Sequence, residues 1–328
     1  MEAGKKSVMK FIGMMIIYIL LSALGIFSQE VTVLFPIFSL PFALYCMRNE
    51  LTTAMHIIFH VTISVVIYLL MGNLYCILIY WVGAVIPTYI ILYLYKKELP
   101  LPNIMMYTGL GLAIVVFVYF TIMKLVGVDF EVQFSAALDE MNRTFINTID
   151  QALQMSLSAG TSTSDLQQAV SQMKEVITSG IEALKVLFAA IIVFHMVITS
   201  SITVMLFNAI ARRKDKTLPY LREILEFRVS KVAVFLLMVC MLFSDFNLNV
   251  QGSILVLELN IMWFLMNLLQ IAGTLGLIAL VSRASLKSYI KILGYLGIII
   301  LFMVSPYVVM FFGCLDALFN YRKVKIVV

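Results

Sequence analysis

The chain of 328 residues is 62% hydrophobic and only 12% charged, with a mean hydropathy of +1.03. Soluble domains are roughly 45–50% apolar and about 25% charged, and a soluble fold of this length has too little interior to hide the excess. Ordinary soluble enzymes, nucleic-acid binders, disulfide scaffolds and disordered chains are excluded. An all-α polytopic membrane protein is expected, in which the net charge of +5 matters by where it lies.

Apolar runs long enough to cross a bilayer fall near 11–27, 51–71, 74–95, 104–126, 186–209 and 254–281. Shorter or broken ones lie at 31–46, 232–247 and 289–320. The first run follows Lys5, Lys6 and Lys10 but exceeds a signal-peptide core, and no A-x-A-like site precedes Gln29, so an uncleaved first helix is expected. Pro36 and Pro41 interrupt the second run; such breaks free backbone groups that neighbours repair or that line a site. As one helix, 289–320 would be roughly 48 Å long, more than a bilayer core requires. Ser305-Pro306 in its middle predicts two short segments, 289–305 and 306–320, forming a tight hairpin or a re-entrant pair.

That gives about ten membrane segments and places both termini on one side. With the termini in the cytoplasm, 19 of the 23 basic residues face inward; only Lys124, Arg143, Lys174 and Lys185 lie outside. Eleven acidic residues fall outside and six inside, which satisfies the positive-inside rule. The expected organisation is an N-terminal membrane bundle over 1–127, an extracytoplasmic helical hairpin over 128–184, and a C-terminal bundle over 185–328 with a basic cytoplasmic elbow at 212–231. The plasma membrane is the expected location.

Within the hairpin, Phe134, Leu138, Met141, Phe145, Ile149 and Ala152 recur at helical spacing. After a break at Gly160, Ser164-x-x-Gln167 has the form of a capping box. Leu166, Val170, Met173, Ile177, Ile181 and Leu184 form a second stripe, expected to run on into the span at 186–209. Two such stripes can zip together as a stalk, a lid or a docking surface. Asn142-Arg143-Thr144 has the form of a glycosylation sequon, a triplet common by chance. The elbow, from Arg212-Arg213-Lys214 through Pro219 to Leu221, Ile224, Leu225 and Arg228, suits a short helix against anionic headgroups.

Polar residues at membrane depth are the functional candidates. His56 and His60 share a helical face with Ser64, and two imidazoles at this spacing can pass a proton, hold part of a metal site or line a cavity. His195, the only other histidine, heads a weaker polar edge with Thr199 and Thr203. Asn260, Trp263, Asn267, Gln270 and Thr274 fall within an arc of about 80°, fit for an uncharged or zwitterionic ligand or for helix–helix glue; Glu258 lies on the opposite face and is expected to be solvated. Asp316 and Asn320 share a face near the inner end of the last segment, where Arg322 can pair with the carboxylate as a structural latch. Cys46, Cys76, Cys240 and Cys314 are scattered without metal or redox spacing and read as core hydrophobes. No phosphate-binding loop, nucleophile elbow or zinc-helix motif occurs, so no enzymatic role, cofactor or metal is expected.

Leu34-Phe35-Pro36 with Leu40-Pro41 and Arg48, the two-helix run ending Tyr95-Lys96-Lys97, and the close Phe312-Gly313-Cys314-Leu315-Asp316-Ala317-Leu318-Phe319-Asn320-Tyr321-Arg322-Lys323 together resemble the YybS-like family of bacterial membrane proteins. That family has no settled activity. It looks distantly similar to the substrate-binding subunits of energy-coupling-factor transporters and to the rod-shape membrane protein MreD. The first likeness implies a membrane cavity for a small molecule and an ATPase partner subunit. The leading expectation is therefore a solute-binding or transporter-like subunit without an ATPase of its own. The rival is a non-transporting scaffold for cell-envelope or cytoplasmic partners. The lipid bilayer is a partner in either case, and nucleic acid in neither.

Overall fold

The structure, a computed structural model, describes residues 39–48, 53–72, 74–158, 164–213, 215–245 and 253–323, with Ile12, Gly13, Ile16 and Ile37 besides. Most of the expected first segment (11–27), Pro36 and the Gly160 break lie outside the described residues, as does most of the second segment before Ser39. Among the described residues the chain is helical, with no strand. In order come α1 (Leu40–Arg48), α2 (Thr53–Met71), α3 (Leu74–Tyr80), a π-helical turn (Trp81–Val85) and α4 (Ile86–Lys96). Then follow α5 (Leu101–Leu125), α6 (Phe130–Ser158), α7 (Ser164–Val186) and α8 (Phe188–Ala211). A 3₁₀ turn (Leu221–Glu226) leads to α9 (Lys231–Asp245), α10 (Ser253–Arg283), α11 (Ser288–Val304) and α12 (Pro306–Phe319), and a last 3₁₀ turn covers Tyr321–Lys323.

Among the described residues, four stretches are long and apolar enough to cross a membrane: Cys76–Lys96, Leu101–Leu125, Phe188–Ala211 and Ser253–Arg283. The pair α11 and α12 makes a fifth if counted as one broken span; it bends by 112°. The cause is local. Pro306 opens α12 without an N–H to donate, and Ser305 before it leaves the helical region at φ −143° and ψ 73°, as a residue preceding proline prefers. Met55–Met71 and Lys231–Phe243 are apolar but shorter.

The helices form two compact units. The first comprises 1–119, 193–231 and 268–328; the second comprises 120–192 and 232–267. In the first, Phe42, Phe59, Ile63, Tyr80 and Val85 make one apolar cluster. Ile91, Leu101, Ile104, Val204 and Phe207 make another. Buried polar groups tie the same helices together. The Thr88 hydroxyl contacts the Ala84 carbonyl at 2.8 Å and the Ser39 carbonyl at 3.2 Å. The Tyr95 hydroxyl donates to Asn208 Oδ1, whose amide donates in turn to the Pro219 carbonyl.

Helices α10 and α12 approach without side chains between them. A Cβ on Gly273 would stand 2.0 Å from the Val309 carbonyl oxygen, and one on Gly313 would stand 2.0 Å from that of Leu269. Only glycine fits either position, and the contact is reciprocal.

In the second unit, α5 closes at Gly127, whose φ of +90° a side chain would resist; Val128 N–H reaches back to the Met123 carbonyl at 2.9 Å, as in a Schellman motif. Asp129 then caps α6, accepting from the Glu131 and Val132 amides. Its other oxygen lies 2.7 Å from Lys124. That ammonium beside it holds the Asp129 carboxyl below its ordinary range.

Helices α6 and α7 pair antiparallel, with Leu138 and Ile181 buried. Asp139 meets Lys185 at 2.6 Å, and Asp150 meets Lys174. Both partners advance by the same number of residues, about three helical turns, so one register satisfies both pairs. At the base, Phe120 stacks with Phe130 and Phe188, and Phe134 meets Phe188 at a tilt, with centroids 4.5–6.0 Å apart. The expected continuation of α7 into α8 is nearly realised: a turn at Leu187 separates them, but Leu187 N–H still reaches the Ala183 carbonyl and Ile191 N–H still reaches that of Leu187.

Candidate functional site

The polar cluster of the first unit is built on α2 and on the interrupted helix that follows it. In the π turn, Ile86 N–H bonds the Trp81 carbonyl five residues back. Pro87 explains the break, since it has no N–H to give to the preceding turn and its ring crowds that turn's carbonyl. The wider turn has a geometric consequence. At 100° per residue Tyr80 and Tyr89 would sit about 180° apart on an unbroken helix. One additional residue in the turn removes about 100° of that offset, leaving both tyrosines facing α2.

They meet the histidines there. His60 Nδ1 lies 2.8 Å from Tyr80 Oη and His60 Nε2 lies 3.0 Å from Tyr89 Oη. Tyr89 Oη is also 3.0 Å from His56 Nδ1. One turn along α2, Ser64 Oγ accepts the Trp81 indole N–H at 3.1 Å. Phe42 of α1 stacks on Phe59 and meets the His60 ring edge-on at 4.9 Å.

Four side chains thus form one hydrogen-bonded line: Tyr80, His60, Tyr89, His56. A neutral tyrosine has one hydroxyl proton, so the two imidazoles flanking Tyr89 cannot both accept from it. If Tyr89 donates to His56, then His60 donates to Tyr89 through Nε2 and, when neutral, accepts from Tyr80 through Nδ1. If Tyr89 donates to His60, every direction reverses. The tautomer at one end therefore fixes the tautomer at the other. His56, Ile57, His60, Val61, Trp81 and Tyr89 line a cleft of about 370 Å³ beside this line, within the range of small-molecule sites. Among the described residues, no group of three or more histidine, cysteine or acidic side chains is placed to hold a metal.

The other candidates are dispersed. His195 lies in the first unit; its carbonyl accepts from Thr199, whose own carbonyl accepts from Thr203, so these hydroxyls serve their own helix. Asn260, Trp263 and Asn267 belong to the second unit, whereas Gln270 belongs to the first. The Asn260 amide is committed: Oδ1 accepts from Ala190 N–H at 2.7 Å, and Nδ2 donates to Val186 at 2.8 Å and Val256 at 2.7 Å. It clamps the chain on both sides of Leu187, where α7 passes into α8. Asn267 donates to the Trp263 carbonyl, and the Gln270 carbonyl accepts from Thr274. Glu258, expected to be solvated, is half-buried with Oε1 enclosed and without a hydrogen-bond partner among the described residues.

At the other end of the first unit, Arg322 Nη2 lies 2.7 Å from Asp316 Oδ2, the two side chains 2% and 1% exposed. Arg322 also donates to the carbonyls of Ala272 and Leu225, and Arg283 donates to the Arg322 carbonyl. Arg228 stands 3.9 Å from the same carboxylate. Asn320 adopts the left-handed conformation (φ 55°) that ends α12, which asparagine tolerates better than most residues. The basic elbow forms a 3₁₀ helix over Leu221–Glu226 where a short helix was expected. Glu223 caps it from within by accepting the Tyr220 amide, and Phe227 ends it in extended backbone. Arg212 lies over the Tyr220 ring at 3.1 Å, and Thr217 bonds Asp215, lowering that carboxyl's pKa.

Sequence reasoning found His56, His60 and Ser64 but not Tyr80, Trp81 or Tyr89. The available signal was Pro87 within an apolar run. No curated protein and no solved structure matches this chain. A family described as "Predicted membrane protein (DUF2232)" matches residues 11–317, and the chain belongs to it.

Proposed function

We propose that this protein is a solute-binding or transporter-like membrane subunit whose recognition site is the cleft beside His56, His60, Tyr89 and Trp81. The observation that carries this reading is the line Tyr80–His60–Tyr89–His56. It holds uncharged, directional hydrogen-bonding groups at membrane depth, next to a space of about 370 Å³. Elsewhere, the Asn260 amide, which serves as glue, is saturated by backbone groups. Here a ring nitrogen remains over, since His56 Nε2 has no partner among the described residues.

The reading includes the topology argued from charge: about ten segments, both termini cytoplasmic, the α6–α7 hairpin outside, and the plasma membrane as location. With no nucleotide-binding motif in the sequence, the energy for any movement of solute comes from a gradient or from a partner ATPase subunit. The likeness to the YybS-like group and to energy-coupling-factor subunits agrees with this role. A second, MreD-like reading as a scaffold draws on the hairpin, where Met155 and Val176 are exposed among ion-paired neighbours.

Native mass spectrometry of the purified full-length protein tests the choice. A small molecule retained by the native protein and lost in His60→Ala and Tyr89→Phe supports the site. A function in cells that survives both substitutions and disappears on deletion of 130–182 overturns it in favour of the scaffold.

A further inference from the structure

This inference rests on the cleft just proposed as the binding site and concerns the class of its occupant. Among the described residues, no lysine, arginine, aspartate or glutamate lines the cleft. A charged solute would shed its hydration there and meet no counter-charge, a cost of several kcal/mol or more. The occupant is therefore neutral. The rim is apolar as well: Ile57 and Val61 are 59% and 53% exposed, and Ile58 and Val65 continue the exposed series along α2. In a membrane-spanning chain such a rim opens toward hydrocarbon, so a molecule dissolved in the bilayer enters without crossing a polar gate.

What it must offer is set by the polar groups. His60 is saturated by two tyrosines, and the Trp81 indole N–H is spent on Ser64. His56 lines the cleft with Nδ1 occupied by Tyr89. When Tyr89 donates to that Nδ1, the neutral imidazole carries its proton on Nε2 and offers a donor. The ligand group that answers it is a carbonyl acceptor. Trp81 and Tyr89 supply aromatic walls, against which a planar ring packs better than a flexible chain.

We infer that the cleft binds a neutral, lipid-soluble carbonyl compound of the quinone class, its ring between Trp81 and Tyr89 and a carbonyl accepting from His56. No electron or proton transfer is implied; the assignment is one of binding.

The chain has two tryptophans, so Trp263→Phe leaves Trp81 as the sole indole reporter. Full-length Trp263→Phe protein in phosphatidylcholine nanodiscs is titrated with decylbenzoquinone. Saturable quenching of Trp81 fluorescence is expected, weakened about tenfold, a change of roughly 1.4 kcal/mol, by His56→Ala and by the more conservative Tyr89→Phe. Decanol, which has the tail without the ring, is expected not to displace the quinone. Quenching that rises linearly with quinone in the bilayer, or that is unchanged in both variants, overturns the inference. So does displacement by decanol at the same mole fraction, because the tail alone would then account for binding. If native mass spectrometry still finds a small molecule lost in His60→Ala while the quinone fails, the solute site stands and only its assigned class falls.

Discussion

His60 and Arg322 are both enclosed by the apolar helices of the first unit, 4% and 3% exposed, yet their surroundings differ in kind. Around Arg322 the partners are a carboxylate and two backbone carbonyls and the charges cancel, although Arg322 Nε and Asp316 Oδ1 are buried without a hydrogen-bond partner among the described residues. Around His60 the partners are tyrosines, no charged group among the described residues lines the cleft, and the line ends at a ring nitrogen beside open space. The first arrangement fixes α12 against its neighbours. The second leaves hydrogen-bonding capacity over, which is what recognition requires. Burial of a polar residue in a membrane protein does not separate staple from site; whether its bonded line opens on a cleft does.

The sharpest way to break this contrast is Arg322→Ala, which leaves the buried Asp316 with Arg228, 3.9 Å away, as its only charged partner among the described residues. A loss of about 3–5 kcal/mol is expected, read as a fall in thermal stability of the detergent-solubilised protein. The paired change Arg322→Met with Asp316→Leu removes both charges and should recover most of it; if it does not, the pair is more than a local staple. Next in size is Gly273→Ala. Its Cβ would meet the Val309 carbonyl oxygen, and forced separation of α10 from α12 should cost about 1–3 kcal/mol in the same measurement.

His60→Ala sharpens the other side. Hydrogen bonds between membrane helices average roughly 0.6 kcal/mol each and His60 makes two, so stability should fall by about 1 kcal/mol while retention of a bound small molecule is abolished. A loss as large as that of Arg322→Ala would make the His60 line a second staple.

The smallest effects belong to the hairpin. Lys185 has its pKa raised by bonds to Asp139 and Glu182, so its pairing is complete below its ordinary value of 10.5 and is lost as pH rises through the raised one. Asp129, depressed by Lys124 from 3.8, keeps its pairing above that value and loses it as pH falls through the lower one. Amide protection of α6 and α7, corrected for intrinsic exchange, should therefore stay flat between about pH 5 and 9. A step inside that window would require another titrating group.

How far these regions could be read in advance also differs. The hairpin was legible because its stripes obey a 3.6-residue period and nothing interrupts them between Phe130 and Ser158. The bend at Pro306 was legible because proline acts on its own neighbours. Asp316 and Arg322 could be paired because the helix end leaves them little choice of partner. The His60 line was only half legible: His56, His60 and Ser64 follow α-helical spacing, but Tyr80 and Tyr89 share a face only through a turn of different pitch. The amide stripe on α10 shows the opposite failure. Its spacing was read correctly, yet Asn260 and Gln270 belong to different units, and the Asn260 amide is consumed by backbone groups that no periodicity reveals.

The π turn at Trp81–Val85 makes the site a matter of phase. Deleting one residue from the turn restores the ordinary pitch yet keeps Tyr89 on the same face, because eight residues of regular helix leave it about 80° from Tyr80. Keeping all nine residues while the turn relaxes to the ordinary pitch instead swings Tyr89 by about 100°, out of reach of His60. The cleft is therefore silenced by a change that relaxes the turn at constant length and survives a single-codon deletion within it. Relatives share the site where nine residues with the wide turn, or eight in an unbroken helix, carry the chain from Tyr80 to Tyr89.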